Sequence, residues 1–232
     1  MKSKKLTKII IAVLCIAVAI VFSGCVQTPS DNIGQNNIGQ EDSGQKTEDI
    51  NSLEKTEEGI IKPEQAKFII EATAQKVIKA VKDKDFKSLS EYAHPEKGVR
   101  FTPYTNVSVE GDVVFKPEEL ENFFQDEKVY LWGYYDGSGE EINLTPAEYY
   151  ESFIYTADFA NPKEIGYNEV LSFGNMLENQ FEVYADAIVV EYYFPGFDPQ
   201  YEGMDWQSLR LVFQHHAGDW KLVGIIHNQW TI

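Results

Sequence analysis

The chain has 232 residues, with 37 acidic against 20 basic side chains and a formal charge of −17. That balance excludes a nucleic-acid binder, because a phosphate backbone needs a basic face, and it repels anionic headgroups, so a folded part should stand off a membrane surface. Cationic partners, metal ions or a basic wall polymer stay compatible with it, as does plain solubility.

In chain order, the first element is an export signal. Lys2, Lys4, Lys5 and Lys8 precede an apolar run from Ile9 to Phe22, and Ser23-Gly24-Cys25 follows. A basic head, a short apolar stretch and small residues before a cut site are its parts. The run is short of the roughly 20 apolar residues that a membrane span needs. Its ending resembles the lipobox of prokaryotic lipoproteins; Val21 and Ser23 suit that pattern, and Phe22, where leucine is usual, departs from it. The resemblance implies a signal peptide over 1–24, a diacylglyceryl anchor on Cys25, and a domain facing outside the cytoplasm at the cell membrane. Two acyl chains meet the requirement for stable anchoring, which one chain does not. An uncleaved signal anchor is the competing reading. The other cysteine, Cys15, lies in the apolar run. The exported part is therefore expected to have no disulfide, no thiol nucleophile and no cysteine-ligated zinc.

Residues 25–60 read as a lipidated, disordered acidic tether. Asp31 to Gln35, Asn36 to Gln40 and Glu41 to Gln45 form a degenerate polar repeat, too short for a solenoid unit and too poor in apolar residues to offset ordering entropy. As a coil the tether would hold the domain roughly 30–35 Å from the bilayer.

Residues 61–232 suffice for one domain with its own core. All 4 Trp and all 13 Tyr of the chain fall there, which suggests an aromatic-lined cavity or face as well as a core. Pro63-Glu64 opens a helix, and Phe68, Ile69, Ala72, Val77, Ile78 and Val81 give its apolar stripe as far as about Asp83. A second helix from Asp85 to Tyr92 stops at His94-Pro95. Val99 to Tyr104 reads as a short strand. Val107 to Val109 and Val113 to Phe115 read as a hairpin around Glu110-Gly-Asp112. A brief helix from Pro117 to Phe124 and a strand from Val129 to Tyr135 follow. A helix from Pro146 to Ile154 is capped by Thr145. Tyr184 to Phe194 is a strand. Leu209 to His215 and Trp220 to Trp230 make a closing hairpin around Ala217-Gly218-Asp219. With a three-residue turn, Leu209, Leu211, Phe213, Val223, Ile225 and His227 share one face; a two-residue turn would shift that register.

This order of helices, small elements and a closing antiparallel sheet resembles the NTF2-like, cystatin-like cone, an α+β fold in which N-terminal helices pack on a curved antiparallel sheet. The ending Trp220 to Trp230 is similar to its last strand. His94 to Tyr104 and Gly203 to Phe213 resemble stretches of a group of uncharacterised prokaryotic lipoproteins. The fold resemblance implies a pocket but no particular activity.

His94 has the ordinary properties of a base or ligand and, beside Pro95, also those of a helix-end cap. Arg100, among apolar neighbours and near Tyr104, suits a carboxylate or phosphate clamp or a structural ion pair. His227 falls on the apolar face of the last strand. Trp132, Tyr193 and Trp206 suit an aromatic lining. These seven are the candidate ligand-binding residues. Asp186, Glu191 and Asp205 are general-base types that nothing singles out. His215 and His216 point to opposite faces of a strand and make a poor metal pair. Asp136 to Glu141 lacks EF-hand spacing. No catalytic motif, metal set or cofactor signature stands out. The expectation is a non-catalytic domain that binds a small ligand or an envelope protein, with acid/base enzymology in the cone pocket as the alternative.

Overall fold

A computed structural model describes residues 52–231. The export signal, Cys25 and the tether as far as residue 51 lie outside the described residues. The domain is α+β, with a mostly antiparallel sheet. Residues 52–62 fold onto it: Leu53 and Ile61 are buried, and Lys55 bridges to Ile61.

Helix α1, Pro63–Lys82, starts on proline and ends on Lys79 and Lys82, which complement its carbonyl end. Its buried stripe is Ala66, Ile70, Ala74, Val77, Ile78 and Val81, so it is turned from the phase expected above; Phe68 is 83% exposed. The packing of Tyr192, whose hydroxyl donates to the Ala74 carbonyl, puts the small alanines against the sheet. Helix α2, Phe86–Tyr92, is capped by Asp85, which accepts from the Ser88 amide.

Strands β1 (Val99–Thr102) and β2 (Val113–Phe115) pair antiparallel with each other. The expected hairpin of Val107–Val109 with Val113–Phe115 is therefore replaced. The reason is Asp112, which accepts from the Thr102 hydroxyl and the Ser108 amide and curls residues 108–112 into a loop. Helix α3 is Pro117–Leu120. Strands β3 (Tyr130–Tyr134) and β4 (Glu141–Leu144) make a separate two-stranded ribbon.

Thr145 caps α4, Pro146–Tyr149, after which the chain widens into a π-helical turn over Tyr150–Ile154. The extra residue in that turn lets adjacent tyrosines enter different packing layers. Tyr149 stacks on Trp132, while the Tyr150 hydroxyl donates to the Val81 carbonyl. Strand β5 is Glu164–Tyr167, α5 is Gln180–Val183, and β6 is Ile188–Phe194. The expected start of β6 at Tyr184 moves to Ile188 because Asp186 takes a positive φ and breaks the extended run.

The last two strands, β7 (Gln207–His216) and β8 (Asp219–Gln229), meet across Ala217-Gly218, both at positive φ as a primed two-residue turn requires. The expected three-residue turn is thus shorter by one. A bulge restores the register: Phe213 pairs with Leu222 and Val212 with Gly224, leaving Val223 extra. Leu209, Leu211, Phe213, Ile225 and His227 keep the common face as expected, whereas Leu222 replaces Val223 on it.

The main sheet runs β2-β1-β8-β7-β6-β5, and only β1–β8 is parallel. Its inner face meets α1, α2, α3, α4 and the ribbon around a large apolar core. Its outer face carries a second apolar cluster of Val107, Tyr184, Ala187, Val189, Val212, Val223 and Ile226, covered by the segments near residues 107 and 181–187.

Candidate functional site

Side chains that alternate along a strand reach opposite sides of the sheet, so the candidate residues divide between its two faces. On the inner side the space is packed with rings. Trp132 is fully buried, donates its indole N–H to the Leu144 carbonyl at 2.8 Å, and stacks on Tyr149 with centroids 3.7 Å apart. Phe153 stacks on Tyr149 and meets Tyr104 and His227 edge-on. Tyr104, Trp132 and His227 are thus brought into one aromatic layer.

His227 is fully buried, with Nδ1 at 3.0 Å from the Pro103 carbonyl. A carbonyl only accepts, so Nδ1 carries the proton and Nε2 is left with a bare lone pair; that atom is buried without a partner. Burial pushes the His227 pKa down to about 4 despite the Pro103 contact. The Tyr104 hydroxyl accepts from the Asp136 amide, and burial raises its pKa.

The other candidates stand apart. Buried His94 accepts at Nδ1 from the Glu96 and Lys97 amides, an imidazole cap on the turn after α2, and its ring lies 4.5 Å from that of His216. Burial, then the neighbouring His216 and Lys97, lower its pKa. Arg100 points to the outer side and donates to the carbonyls of Ser108, Val109 and Asp112. Beside it Asp112 is pushed up to about 6 by burial, against the opposing bonds from Thr102 and Ser108 and the charge of Arg100. Tyr193 and Trp206 meet each other at 6.3 Å near the end of β6, and burial raises the Tyr193 pKa. Asp186 pairs with Lys55, and Asp205 accepts from the amides of Phe197 and Asp198.

The outer face also holds a buried ionic network that the sequence reading leaves unassigned. Arg210 of β7 sits opposite Glu191 of β6, and neither side chain is exposed. Arg210 also pairs with Glu178 and donates to Thr105 at 2.7 Å and to Ser172 at 3.0 Å. Glu191 accepts from the Leu171 amide at 2.7 Å and from the Ser172 hydroxyl. Burial by itself would lower the Arg210 pKa; Glu191 and Glu178 outweigh it and hold the guanidinium firmly charged. The signal was present: Arg210 is the one charge within Leu209–Phe213, and Glu191 the one charge within Ile188–Phe194. Two lone opposite charges in apolar strands are each other's natural partners.

Beside this network, on the same side, lies a cleft between residues 58–61 and the segment around α5. Two adjoining hollows of about 300 and 120 Å³ share Glu58, Ile60 and Phe181. The larger is lined also by Val170, Glu178, Gln180 and Glu182, the smaller by Tyr184 and Asp186. Gln180 is 1% exposed, and neither its amide nitrogen nor its oxygen has a hydrogen-bond partner. The Tyr184 hydroxyl is likewise buried, and burial drives its pKa up against the opposing influence of Arg100. Native interiors pair nearly all such groups. Nothing in the sequence marks this cleft, because it exists only once the chain around α5 folds back over the sheet.

No family model matches the chain, and no curated protein or solved structure matches it significantly.

Proposed function

We propose that the chain is a lipid-anchored protein of the outer side of the cell membrane whose domain binds a ligand without chemical turnover, in the cleft beside α5. The observation that carries the binding reading is the cleft itself, a hollow of about 300 Å³ lined by Ile60, Val170 and Phe181 together with Glu58, Glu178 and Glu182. The location rests on the basic head, the apolar run and Cys25. The fold is read as an NTF2-like cone, supported by two N-terminal helices before the strands and by α1 lying against β5 and β6. The site would then be on the outer side of the sheet, while the inner side is filled by the stacked rings around Trp132.

A second reading has its own support. Phe173 and Leu177 are 74% and 82% exposed, and Asn175 between them bonds the Thr231 carbonyl next to half-exposed Trp230. That apolar surface suits an envelope protein.

Two experiments test the proposal. Labelled fatty acid should enter the wild type and not Cys25→Ser; equal labelling would end the anchor assignment. Native mass spectrometry of the full chain from its own host should show added mass lost on denaturation. A bare monomer would count against the cleft, and a protein complex broken by Leu177→Asp would favour the second reading.

A further inference from the structure

The geometry points to a binding site for a small carboxylate at Arg210, closed in this structure by a flap of residues 173–178 whose Glu178 occupies the ligand's place. This site does not depend on what the cleft beside α5 holds, although Glu178 borders both. Arg210 lies against Glu191, its cross-strand neighbour, and that pair alone is electrically neutral. One counter-charge suffices to neutralise a buried arginine. Glu178 brings a second carboxylate, from an irregular segment, and its contact is two-pronged: Nη1 of Arg210 donates to Oε2 and Nη2 to Oε1. This is the fork by which arginine takes up a free carboxylate. Nε of the same guanidinium is buried with no partner among the described residues, so the resident carboxylate leaves one donor unused.

The segment carrying Glu178 is pinned at its ends and loose between them. Ser172 at one end bonds to Glu191 and Arg210. Asn179 at the other exchanges two bonds with the Val107 backbone, of 2.8 and 2.9 Å. Between these pins, residues 173–178 make no backbone–backbone hydrogen bond among the described residues. What holds them down is Glu178 itself and two side-chain amides, Asn106 on the Leu177 carbonyl at 3.2 Å and Asn175 on the Thr231 carbonyl at 3.1 Å. A segment with so few backbone bonds opens at low cost. Its apolar side chains Phe173 and Leu177 stand in water, while its carboxylate is turned inward. Glu178 is also the one acid of the ion network that reaches solvent, at 27% exposure against none for Arg210 and Glu191, so it is the charge that can leave. Its departure uncovers the Arg210 fork beside the buried hydroxyls of Thr105 and Ser172. A planar monoanion fits the vacated fork. A sulfate or phosphate dianion would set a second negative charge beside Glu191.

The test uses the full chain in non-ionic detergent, with acetate as the probe and chloride and sulfate at equal ionic strength as controls. Binding is read from the rise of Tm with concentration. Flap opening is read from fluorine NMR of the fluorotryptophan-labelled chain, at the Trp206 resonance assigned by Trp206→Phe. The buried Trp206 ring lies under the flap, 3.3 Å from where a Cβ on Gly174 would stand. Glu178→Gln should bind acetate at least about tenfold more tightly than the wild type, whose tethered carboxylate competes at high effective concentration. Saturating acetate should move the wild-type Trp206 resonance to its solvent-exposed position, and chloride and sulfate should not. The triple variant Glu178→Gln/Arg210→Met/Glu191→Met, which removes all three charges, should lose the acetate response. No acetate-specific rise in Glu178→Gln would overturn the site, as would an equal rise in the triple variant. A rise in Glu178→Gln with the wild-type Trp206 signal unmoved at any acetate concentration would make Glu178 a structural partner and overturn the flap.

Discussion

Asp112 and His227 are both buried, and their titrations should pull stability in opposite directions over the same pH window. The Asp112 carboxyl moves from 3.8 up to about 6 on folding. Between those values the folded state holds more protons than the unfolded one, so stability falls as pH rises. The imidazole of His227 moves from 6.5 down to about 4. Between those values the unfolded state holds more protons, so stability rises with pH. Each gap corresponds to roughly 3 kcal/mol, so the two should nearly cancel between pH 4 and 6. The perturbations are Asp112→Asn, which keeps an acceptor for the Ser108 amide, and His227→Gln, which keeps a donor for the Pro103 carbonyl. Urea unfolding of the full chain, followed by tryptophan fluorescence at pH 4, 5, 6 and 7, reads the result. Relative to wild type, Asp112→Asn should gain about 2–3 kcal/mol more at pH 7 than at pH 4. His227→Gln should show the reverse sign, losing ground as pH rises. Parallel pH profiles for wild type and both variants would refute the assignment of either group as a buried titrating site.

Arg210→Met should cost about 3–5 kcal/mol, because it strands the fully buried Glu191; Arg210→Met/Glu191→Met should recover most of that loss in a denaturation cycle. Gly98→Ala should cost about 2 kcal/mol or more in thermal unfolding, since its φ is +72° and a Cβ there would lie 2.4 Å from the Phe115 carbonyl oxygen. Ala217→Asn should raise the stability by up to about 1 kcal/mol, because asparagine tolerates the positive φ of the primed turn better than alanine does; an unchanged melting curve would count against the two-residue turn.

What could be read before any coordinates were those elements whose signals are local. Proline at the start of α1, the Asp85 and Thr145 caps, and the alternation of β7 and β8 each act within a few residues. The misread features depend on distant partners. Phe68 looks like a core residue along the helix, but the tyrosines of the sheet set the rotation of α1. Val113–Phe115 looks like the second arm of a local hairpin, but Asp112 and Thr102 commit the intervening loop elsewhere. The closing hairpin shows how two errors can cancel: the turn is one residue shorter than expected, and the bulge at Val223 restores the pairing from Gly224 onward. The candidate residues divide similarly. Residue type marked His227 and Trp132 as candidates to line a pocket, but whether a neighbouring group is an accepting carbonyl, a stacked ring or a ligand is a matter of tertiary contact. Strand β5 and helix α5 carry no legible signal, because four residues give too little periodicity to detect.

The parallel join of β1 to β8, reinforced by the His94 amide bonding to the Leu222 carbonyl, has a consequence for when the domain can form. The first strand has no place in the main sheet except through the last strand, and the rings above β1 have no floor without it. Completion of the sheet must therefore wait for β8. For a protein proposed to be threaded through a membrane as an extended polypeptide, this order of assembly acts as a built-in delay: the sheet cannot close until β8 has emerged on the far side.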